Sequence, residues 1–233
     1  MRPIERLSPN FDARPGAGAI DMLILHYTGM KTAEEALDRL CDPAAKVSAH
    51  YVVGEDGQVW RLVDESQRTW HAGVSSWRGR SDINGASIGI ELVNPGHEFG
   101  YRAFPEAQIE ALEELARDIL ARHPIPARQV LGHSDVAPLR KEDPGELFPW
   151  QRLARSGIGL WPDFDAPATP SDTLADLQAM LATIGYGCPN TGVLDAETRA
   201  VIIAFQRHFY PLACDGALDL ETRRRIAILA RAV

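Results

Sequence analysis

Ser87-Ile-Gly-Ile-Glu-Leu-Val93 is a short, almost continuously apolar stretch with one carboxylate in its middle. This composition predicts a strand that is buried on both faces and therefore lies at the centre of a sheet. Glu91 is unexpected there, because a carboxylate loses its hydration when it is buried. Either Glu91 forms a buried pair with an arginine or lysine, or it has a chemical role.

Other strands are predicted on both sides of this stretch in the chain. Met22-Leu-Ile-Leu-His-Tyr27 reads as a buried strand whose end presents polar side chains to a cleft. Residues 47–53 and 58–63 alternate between apolar and polar, and Gly54-Glu-Asp-Gly57 between them predicts an antiparallel hairpin. Gln129-Val-Leu131 is a short strand that leads into a polar loop.

Helical patterns lie between these strands. Thr32-Ala-Glu-Glu35 is a capping box that opens a helix through about Leu40. Pro105 opens the clearest helix, which has apolar residues at spacings of three and four and ends near His123. Strands and helices together predict an α/β fold with a mixed central sheet flanked by helices.

A change in composition divides the chain. Residues 162–170 contain three prolines and few apolar side chains, which is typical of a stiff, extended linker. We therefore predict a large domain over residues 1–161, a linker over residues 162–170, and a small domain over residues 171–233.

The small domain contains an internal repeat. Gly192-Val-Leu-Asp-Ala-Glu-Thr-Arg199 recurs as Gly216-Ala-Leu-Asp-Leu-Glu-Thr-Arg223. Asp195 and Asp219 are good N-cap residues, and each is followed by a glutamate that favours the first helical turn. The predicted unit is an all-α, three-helix domain with helices near 171–184, 195–208 and 219–231.

Charge and composition exclude several kinds of partner. The net charge is −8 and no basic run is longer than the three residues Arg223–Arg225, which argues against binding to nucleic acid or to an anionic membrane surface. No apolar run reaches the roughly 20 residues that span a bilayer. The sequence does not determine the oligomeric state.

The compartment is predicted from the first residues and from the cysteines. Residues 1–10 contain no apolar leader core, so we expect a cytoplasmic protein, or a periplasmic one if a leader was removed before this sequence begins. Cys41, Cys188 and Cys214 are odd in number and have no CxxC spacing, so they are expected to be thiols. A Cys188–Cys214 disulfide would require an exported protein.

Candidate metal ligands lie in the loop from Leu131 to Trp150 and on the first long strand. His133 and Asp143 supply a nitrogen and an oxygen donor in this ligand loop, residues 131–150, and His26 lies far upstream. Two histidines and one carboxylate are a common ligand set of a catalytic zinc ion. Alone, each residue would more often be structural.

The first 160 or so residues resemble the zinc-dependent N-acetylmuramoyl-L-alanine amidases of the AmpD-like type. More distantly, they resemble phage lysozyme-type amidases and peptidoglycan recognition proteins. The resemblance is carried by segments in the same order: Leu25-His-Tyr-Thr28, Val47-Ser-Ala-His-Tyr51, Trp70-His-Ala-Gly73, Ser87-Ile-Gly-Ile-Glu-Leu92, Gly132-His-Ser-Asp-Val-Ala-Pro138 and Arg140-Lys-Glu-Asp-Pro-Gly145. It implies that His26, His133 and Asp143 bind one Zn²⁺.

The resemblance also implies roles for two further residues. Glu91 would be the general base that takes a proton from the attacking water and passes it to the leaving amine. Lys141 would donate to the developing oxyanion, although a lysine at this position could also be a solvated loop charge.

Several other residues are candidates for contact with sugar or peptide, because aromatic faces pack on glycans and arginine binds carboxylates. They are Tyr27, His50, Trp70, His71, Trp77, Arg78 and Asn84. For His50 a structural role in the core is equally compatible with the sequence. His97, His123 and His208 are interpreted as surface or helix-end residues.

The segment from Leu174 to the end resembles a peptidoglycan-binding-like helical domain, through a Leu-Gln-Ala-Met-Leu stretch, the repeated Gly-x-Leu-Asp and Ala204-Phe-Gln-Arg207. The sequence therefore predicts a zinc amidase that cuts the bond between N-acetylmuramic acid, in its ordinary or 1,6-anhydro form, and L-alanine. Its partners would be peptidoglycan fragments (muropeptides), and its role cell-wall recycling. The alternatives are an exported remodelling amidase and a non-catalytic recognition protein.

Overall fold

The structure is a computed structural model that describes residues 2–16 and 20–233. Met1 and residues 17–19, which belong to the predicted first domain, lie outside the described residues. The strands are β1 (Ile4–Glu5), β2 (Phe11–Ala13), β3 (Met22–Tyr27), β4 (Tyr51–Val53), β5 (Val59–Arg61), β6 (Gln67–Thr69), β7 (Ser87–Leu92) and β8 (Val130–Gly132). The α-helices are α1 (Ala33–Cys41), α2 (Ile83–Ala86), α3 (Gly96–Phe99), α4 (Glu106–Arg122), α5 (His133–Val136), α6 (Trp150–Arg155), α7 (Leu174–Ile184), α8 (Ala196–Phe209) and α9 (Leu220–Ala232).

Six strands form a mixed sheet in the order β1-β5-β4-β7-β3-β8. β4, β7, β3 and β8 are parallel neighbours, while β5 runs antiparallel to β4 through the predicted hairpin. β2 and β6 form a separate antiparallel pair. The predicted α/β class is confirmed, and the strand that carries Glu91 lies inside the sheet.

The two faces of β3 are covered by different parts of the chain. Leu23 and Leu25 belong to the apolar cluster that α4 covers. Met22 and Ile24 point to the opposite face and pack in a second cluster with residues of α7, α8 and α9. Alternation along the strand thus divides its side chains between two helical layers.

Local capping explains where the helices begin. The Thr32 side chain accepts a hydrogen bond from Glu35 N and opens α1. Asp195 and Asp219 accept from Thr198 N and Thr222 N at the starts of α8 and α9. These caps were predicted, and the three C-terminal helices are confirmed.

The C-terminal helices share a core with the sheet. Ile24 and Leu131 from the sheet, and Leu181 and Phe205 from α7 and α8, belong to one buried cluster, which we call the shared cluster. Phe164, inside the proline-rich segment 162–170, is itself buried in it. That segment therefore packs against the protein, while the predicted domain boundaries stay a prediction.

Cys41, Cys188 and Cys214 are free thiols. Within residues 2–16 and 20–233, no helix has the length and apolar character needed to span a bilayer.

Candidate metal site and cleft

Three neighbouring parallel strands bring the predicted chemistry together. His26 on β3 is the direct register partner of Glu91 on β7. On the other side of β3, Leu25 is paired with Gly132, the last residue of β8, and His133 follows immediately. All three residues therefore lie at the carboxyl ends of adjacent parallel strands, where α/β proteins commonly place their sites.

The three predicted ligands converge on one point. His26 Nδ1, His133 Nδ1 and Asp143 Oδ2 each lie 3.0 Å from the other two atoms. All three side chains are buried, and together they form a group that could hold a metal ion. Because zinc bonds to nitrogen and oxygen are about 2.0–2.2 Å long, one ion can contact all three atoms at once.

A chain of hydrogen bonds determines which nitrogen of His26 carries the proton. Ser87 Oγ donates to Ile83 O at 2.6 Å, so it accepts from His71 Nε2 at 3.0 Å. His71 Nδ1 is then an acceptor, and His26 Nε2 donates to it at 2.9 Å. The Nδ1 atom of His26 is left with a lone pair that faces the other ligands.

His133 is oriented in the same way by the backbone. Its Nε2 lies 3.0 Å from Ala72 O, which can only accept, so the proton is on Nε2 and Nδ1 carries a lone pair. Two lone pairs and one carboxylate oxygen therefore meet with no proton between them. Such a group is stable around a cation, and the donor set fits zinc.

Burial supports the neutral form of the histidines. Burial, together with the proximity of His133, lowers the pKa of His26 to about 4, although the hydrogen bond and the charge of Asp143 oppose this shift. Burial also lowers the pKa of His71 well below its ordinary value. Neutral imidazoles are the form that binds a metal ion.

Glu91 borders the same site. Its side chain is half-buried, and among the described residues its Oε2 atom is buried without a hydrogen-bond partner. Burial raises the pKa of the Glu91 carboxyl well above its ordinary value; the negative charge of Asp143 adds to this and Lys141 opposes it. A carboxyl with a raised pKa is suited to exchange protons near neutral pH.

The ligand loop folds back so that its two ends meet. Ser134 N donates to Asp143 O at 2.9 Å, which joins the segment after His133 to the segment that carries the third ligand. Lys141 N donates to Ala137 O at 3.0 Å, and the Lys141 side chain lines the cleft beside Asp143. The predicted ligands and Lys141 are thus brought together.

The site opens into a cleft of about 460 Å³. Of the predicted substrate-contacting residues, Tyr27, Trp70 and His71 line it. Sequence reasoning missed other side chains with suitable charge or shape: Arg39, His97 and Arg140. Arg140 was adjacent to Lys141 in a segment already singled out, whereas Arg39 and His97 gave no signal in the sequence.

Four residues that were predicted to contact substrate do not line the cleft. His50 is fully buried, and its Nδ1 accepts from the backbone of Gly89. Asn84 is buried, and its Oδ1 accepts from the backbone of His71 and Ala72, so it supports the site from behind. Neither residue lines the cleft.

The other two of these residues face the C-terminal helices. Trp77 is 2% exposed and packs edge-on against Tyr186, with ring centres 5.0 Å apart. Arg78 donates from its backbone to Gly185 O at 2.8 Å. Both residues therefore contact the C-terminal part and lie outside the cleft.

The remaining histidines differ from their interpretation in part. His123 lies at the C-cap of α4, as expected, and contacts Glu65. His97 is exposed but lines the cleft, with Nδ1 2.9 Å from Tyr27 Oη. His208 was interpreted as a surface or helix-end residue; it lies in the last turn of α8, and it is buried.

Comparison with known families agrees with this geometry. The Amidase_2 profile, described as N-acetylmuramoyl-L-alanine amidase, matches residues 16–146, and the PG_binding_1 profile of peptidoglycan binding domains matches residues 170–226. The first match spans more than half of the chain. The protein therefore belongs to the N-acetylmuramoyl-L-alanine amidase family and is a hydrolase of that class.

Individual relatives extend over both parts of the chain. N-acetylmuramoyl-L-alanine amidase AmiD of Escherichia coli (strain K12) is 41% identical over 94% of this chain and 87% of its own length. A solved complex of that amidase with anhydro-N-acetylmuramic acid-L-Ala-D-γ-Glu-L-Lys aligns with a TM-score of 0.80, covering 93% of this chain and 92% of the other. AmpDh3 of Pseudomonas aeruginosa, in complex with anhydromuramic pentapeptide, aligns with a TM-score of 0.82 at 35% identity, covering 94% of both chains.

Proposed function

We propose that this amidase uses one zinc ion to hydrolyse the bond between N-acetylmuramic acid and L-alanine in soluble peptidoglycan fragments, including fragments with a 1,6-anhydro sugar. The observation that carries the proposal is the meeting of three proton-free donor atoms of His26, His133 and Asp143 beside Glu91. Two solved relatives bind anhydromuramyl peptides, which supports this substrate class.

The residues of the cleft account for the reaction as follows. A zinc ion held by His26, His133 and Asp143 would lower the pKa of a water molecule and polarise the substrate carbonyl. Glu91 takes the proton of the attacking water as the new C–O bond forms. It then passes that proton to the nitrogen of L-alanine as the C–N bond breaks. Lys141 donates a hydrogen bond to the carbonyl oxygen as it becomes negative.

The outer cleft is suited to the two parts of the substrate. Tyr27 and Trp70 offer aromatic faces that can pack on a sugar ring. Arg39 and Arg140 add positive charge, which favours the carboxylates of a stem peptide. Arg140 is held by the carbonyl oxygens of Ala72 and Val74, so its guanidinium has a fixed position.

The test uses purified full-length protein and a soluble anhydromuramyl tripeptide. Chelation is expected to abolish turnover, and added Zn²⁺ to restore it. Glu91→Gln should lower kcat about 10²- to 10⁴-fold, the usual range for a lost general base. Glu110→Gln, at an exposed position of α4, is the matched control and should leave kcat unchanged. Equal rates for Glu91→Gln and the parent would refute the assigned mechanism.

The PG_binding_1 match favours a second candidate, an exported amidase that acts on the intact wall. The two functions differ in substrate, so turnover of the soluble tripeptide is compared with turnover of intact sacculus. Recycling predicts a strong preference for the tripeptide and a cytoplasmic enzyme. Preferential release of peptides from sacculus, or recovery of the native protein outside the cytoplasm on cell fractionation, would favour the exported role.

A further inference from the structure

Asp135 is a buried carboxylate two residues after the metal ligand His133, and it is 1% exposed. Its Oδ2 accepts from Gly132 N at 2.8 Å, at the point where β8 ends and the turn of His133 begins. Its Oδ1 accepts from Tyr186 Oη at 2.6 Å, and its Oδ2 also contacts His208 Nδ1 at 2.7 Å. One carboxylate therefore connects the backbone beside a metal ligand to the C-terminal helical part.

The two C-terminal donors are themselves fixed by ring contacts. The ring of His208 stacks on Trp150 at a centroid distance of 3.7 Å and is 3% exposed. Trp150 is the last residue of the ligand loop. Tyr186 packs edge-on against Trp77. Both donors thus reach Asp135 from positions that allow little movement.

The residue before His208 contacts the far side of the same loop. Arg207 Nη2 lies 3.0 Å from Glu142 Oε1, and Arg207 Nε lies 4.0 Å from Glu146 Oε2. Glu142 stands directly between Lys141 and the metal ligand Asp143. Arg207 and His208, two successive residues of α8, therefore contact residues close in sequence to the metal ligands. Arg207 contacts Glu142, which precedes Asp143, and His208 contacts Asp135, which follows shortly after His133.

The packing of the C-terminal helices against the sheet does not require these polar contacts. The shared cluster already buries apolar side chains of the sheet and of α7 to α9 against each other. A buried ion pair or polar triad generally adds little net stability compared with apolar packing, but it does specify geometry. Because these contacts lie next to the metal ligands, the geometry that they specify is that of the metal site.

We propose that Tyr186, His208 and Arg207 are positioning residues for the metal site. They act through Asp135 and Glu142, which set the positions of His133 and Asp143. The C-terminal helical part then belongs to the active-site framework, whether or not it also binds cell wall. This inference rests on the proposed zinc site and adds to it the source of its geometry.

The test measures metal binding by full-length variants. Tyr186→Phe removes only the hydroxyl and keeps the ring against Trp77. His208→Leu removes the donor, and His208→Asn, of similar shape, returns an N–H near the position of Nδ1. Thr222→Val is the control, because it removes a buried hydroxyl that contacts Gln206 within the C-terminal part, away from the loop.

Zinc affinity is measured by competition with a chelator, and the ligand geometry by the visible absorption spectrum of the Co²⁺-substituted protein. Removing a group that orients metal ligands typically lowers affinity 10- to 100-fold. We expect a loss of about tenfold and an altered Co²⁺ spectrum in Tyr186→Phe and His208→Leu. His208→Asn should recover both the affinity and the spectrum. In Tyr186→Phe and His208→Leu, kcat should fall with KM nearly unchanged.

Thr222→Val should lose thermal stability and keep the parent's affinity and Co²⁺ spectrum. The inference is overturned if Tyr186→Phe and His208→Leu bind both ions as the parent does and lose only thermal stability. A parent protein that binds neither ion would overturn the proposed function as well, so the two failures are distinguishable.

Discussion

Ser87 lies at the end of the hydrogen-bond chain that leaves a lone pair on His26. Its hydroxyl accepts from His71, and His71 accepts from His26. Without that hydroxyl, His71 has no acceptor for its Nε2 proton and can adopt the other tautomer or turn. His26 would then lose the acceptor that keeps its own proton away from the metal.

Ser87→Ala is therefore expected to lower zinc affinity about tenfold, measured by chelator competition. Ser8→Ala is the matched control, because Ser8 is a buried serine whose hydroxyl donates to Leu40 O and accepts from Asn10 N, outside the hydrogen-bond chain of the ligands. Both variants should lose about 1 kcal/mol of folding free energy, the usual contribution of a buried hydrogen bond. Equal zinc affinity of the two variants would contradict this assignment for Ser87.

At the residue scale, the sequence predicted the groups that carry unusual chemistry and missed those that orient them. His26, His133 and Asp143 could be proposed because together they form a common zinc ligand set within segments that resemble a known family, and Glu91 because it lies in an otherwise apolar strand. Ala72 could not, because its contribution is a carbonyl oxygen that every residue has. Asn84 was singled out, but only the fold shows that it contacts backbone rather than substrate.

At the scale of elements, Glu65 connects the end of α4 to the sheet. It accepts from Arg122 and His123 at the end of α4 and from Tyr51 on β4. Burial alone would raise the pKa of the Glu65 carboxyl, but these hydrogen bonds outweigh it and lower the pKa to about 2. The ordinary value is 4.5.

This depressed pKa makes the link sensitive to acid. Its stabilising contribution is complete above the ordinary value of 4.5 and is lost as pH falls from there through about 2. Glu65→Gln should therefore flatten the fall in unfolding free energy over that range, measured by urea denaturation at successive pH values. Glu106→Gln, in an exposed pair with Arg152, should leave the curve nearly unchanged. Identical curves for the parent and Glu65→Gln would contradict the prediction.

The positions of the helices and strands were largely predictable, because hydrophobic periodicity and capping residues are features of the local sequence. The starts of α1, α8 and α9 followed from Thr32, Asp195 and Asp219, whereas α7 begins at Leu174, after the predicted start at residue 171. The lengths of the strands were harder to predict from the sequence. Residues 47–53 were predicted as one strand, but only Tyr51–Val53 form β4, because a strand's length depends on partner strands that the local sequence pattern does not reveal.

At the scale of the whole molecule, composition suggested two units joined by a spacer, whereas the sheet face and the C-terminal helices bury one cluster together. A chain that ends at Trp161 would expose Met22, Ile24 and Leu131, each worth about 1.5–3 kcal/mol when buried. We expect this truncated chain to aggregate or to lose cooperative unfolding, measured by size exclusion and circular dichroism.

A control separates the effect of losing the C-terminal helices from the effect of breaking the covalent link to them. A protease site placed at exposed Thr169 allows the folded full-length protein to be cut without removing any contact of the shared cluster. The two pieces should remain associated on size exclusion. A truncated chain that stays monomeric and unfolds cooperatively would show that the shared cluster is dispensable.

Asp135 and its partner His208 are separated by 73 residues. During synthesis the ribosome releases the sheet and both ends of the ligand loop before it releases Tyr186 and His208, the residues of the C-terminal part that contact Asp135. On this arrangement the nascent amidase has all its chemical groups before it has a finished active site. If Tyr186, His208 and Arg207 position the ligands as proposed, fragments that stop before α8 bind zinc more weakly than the full sequence does.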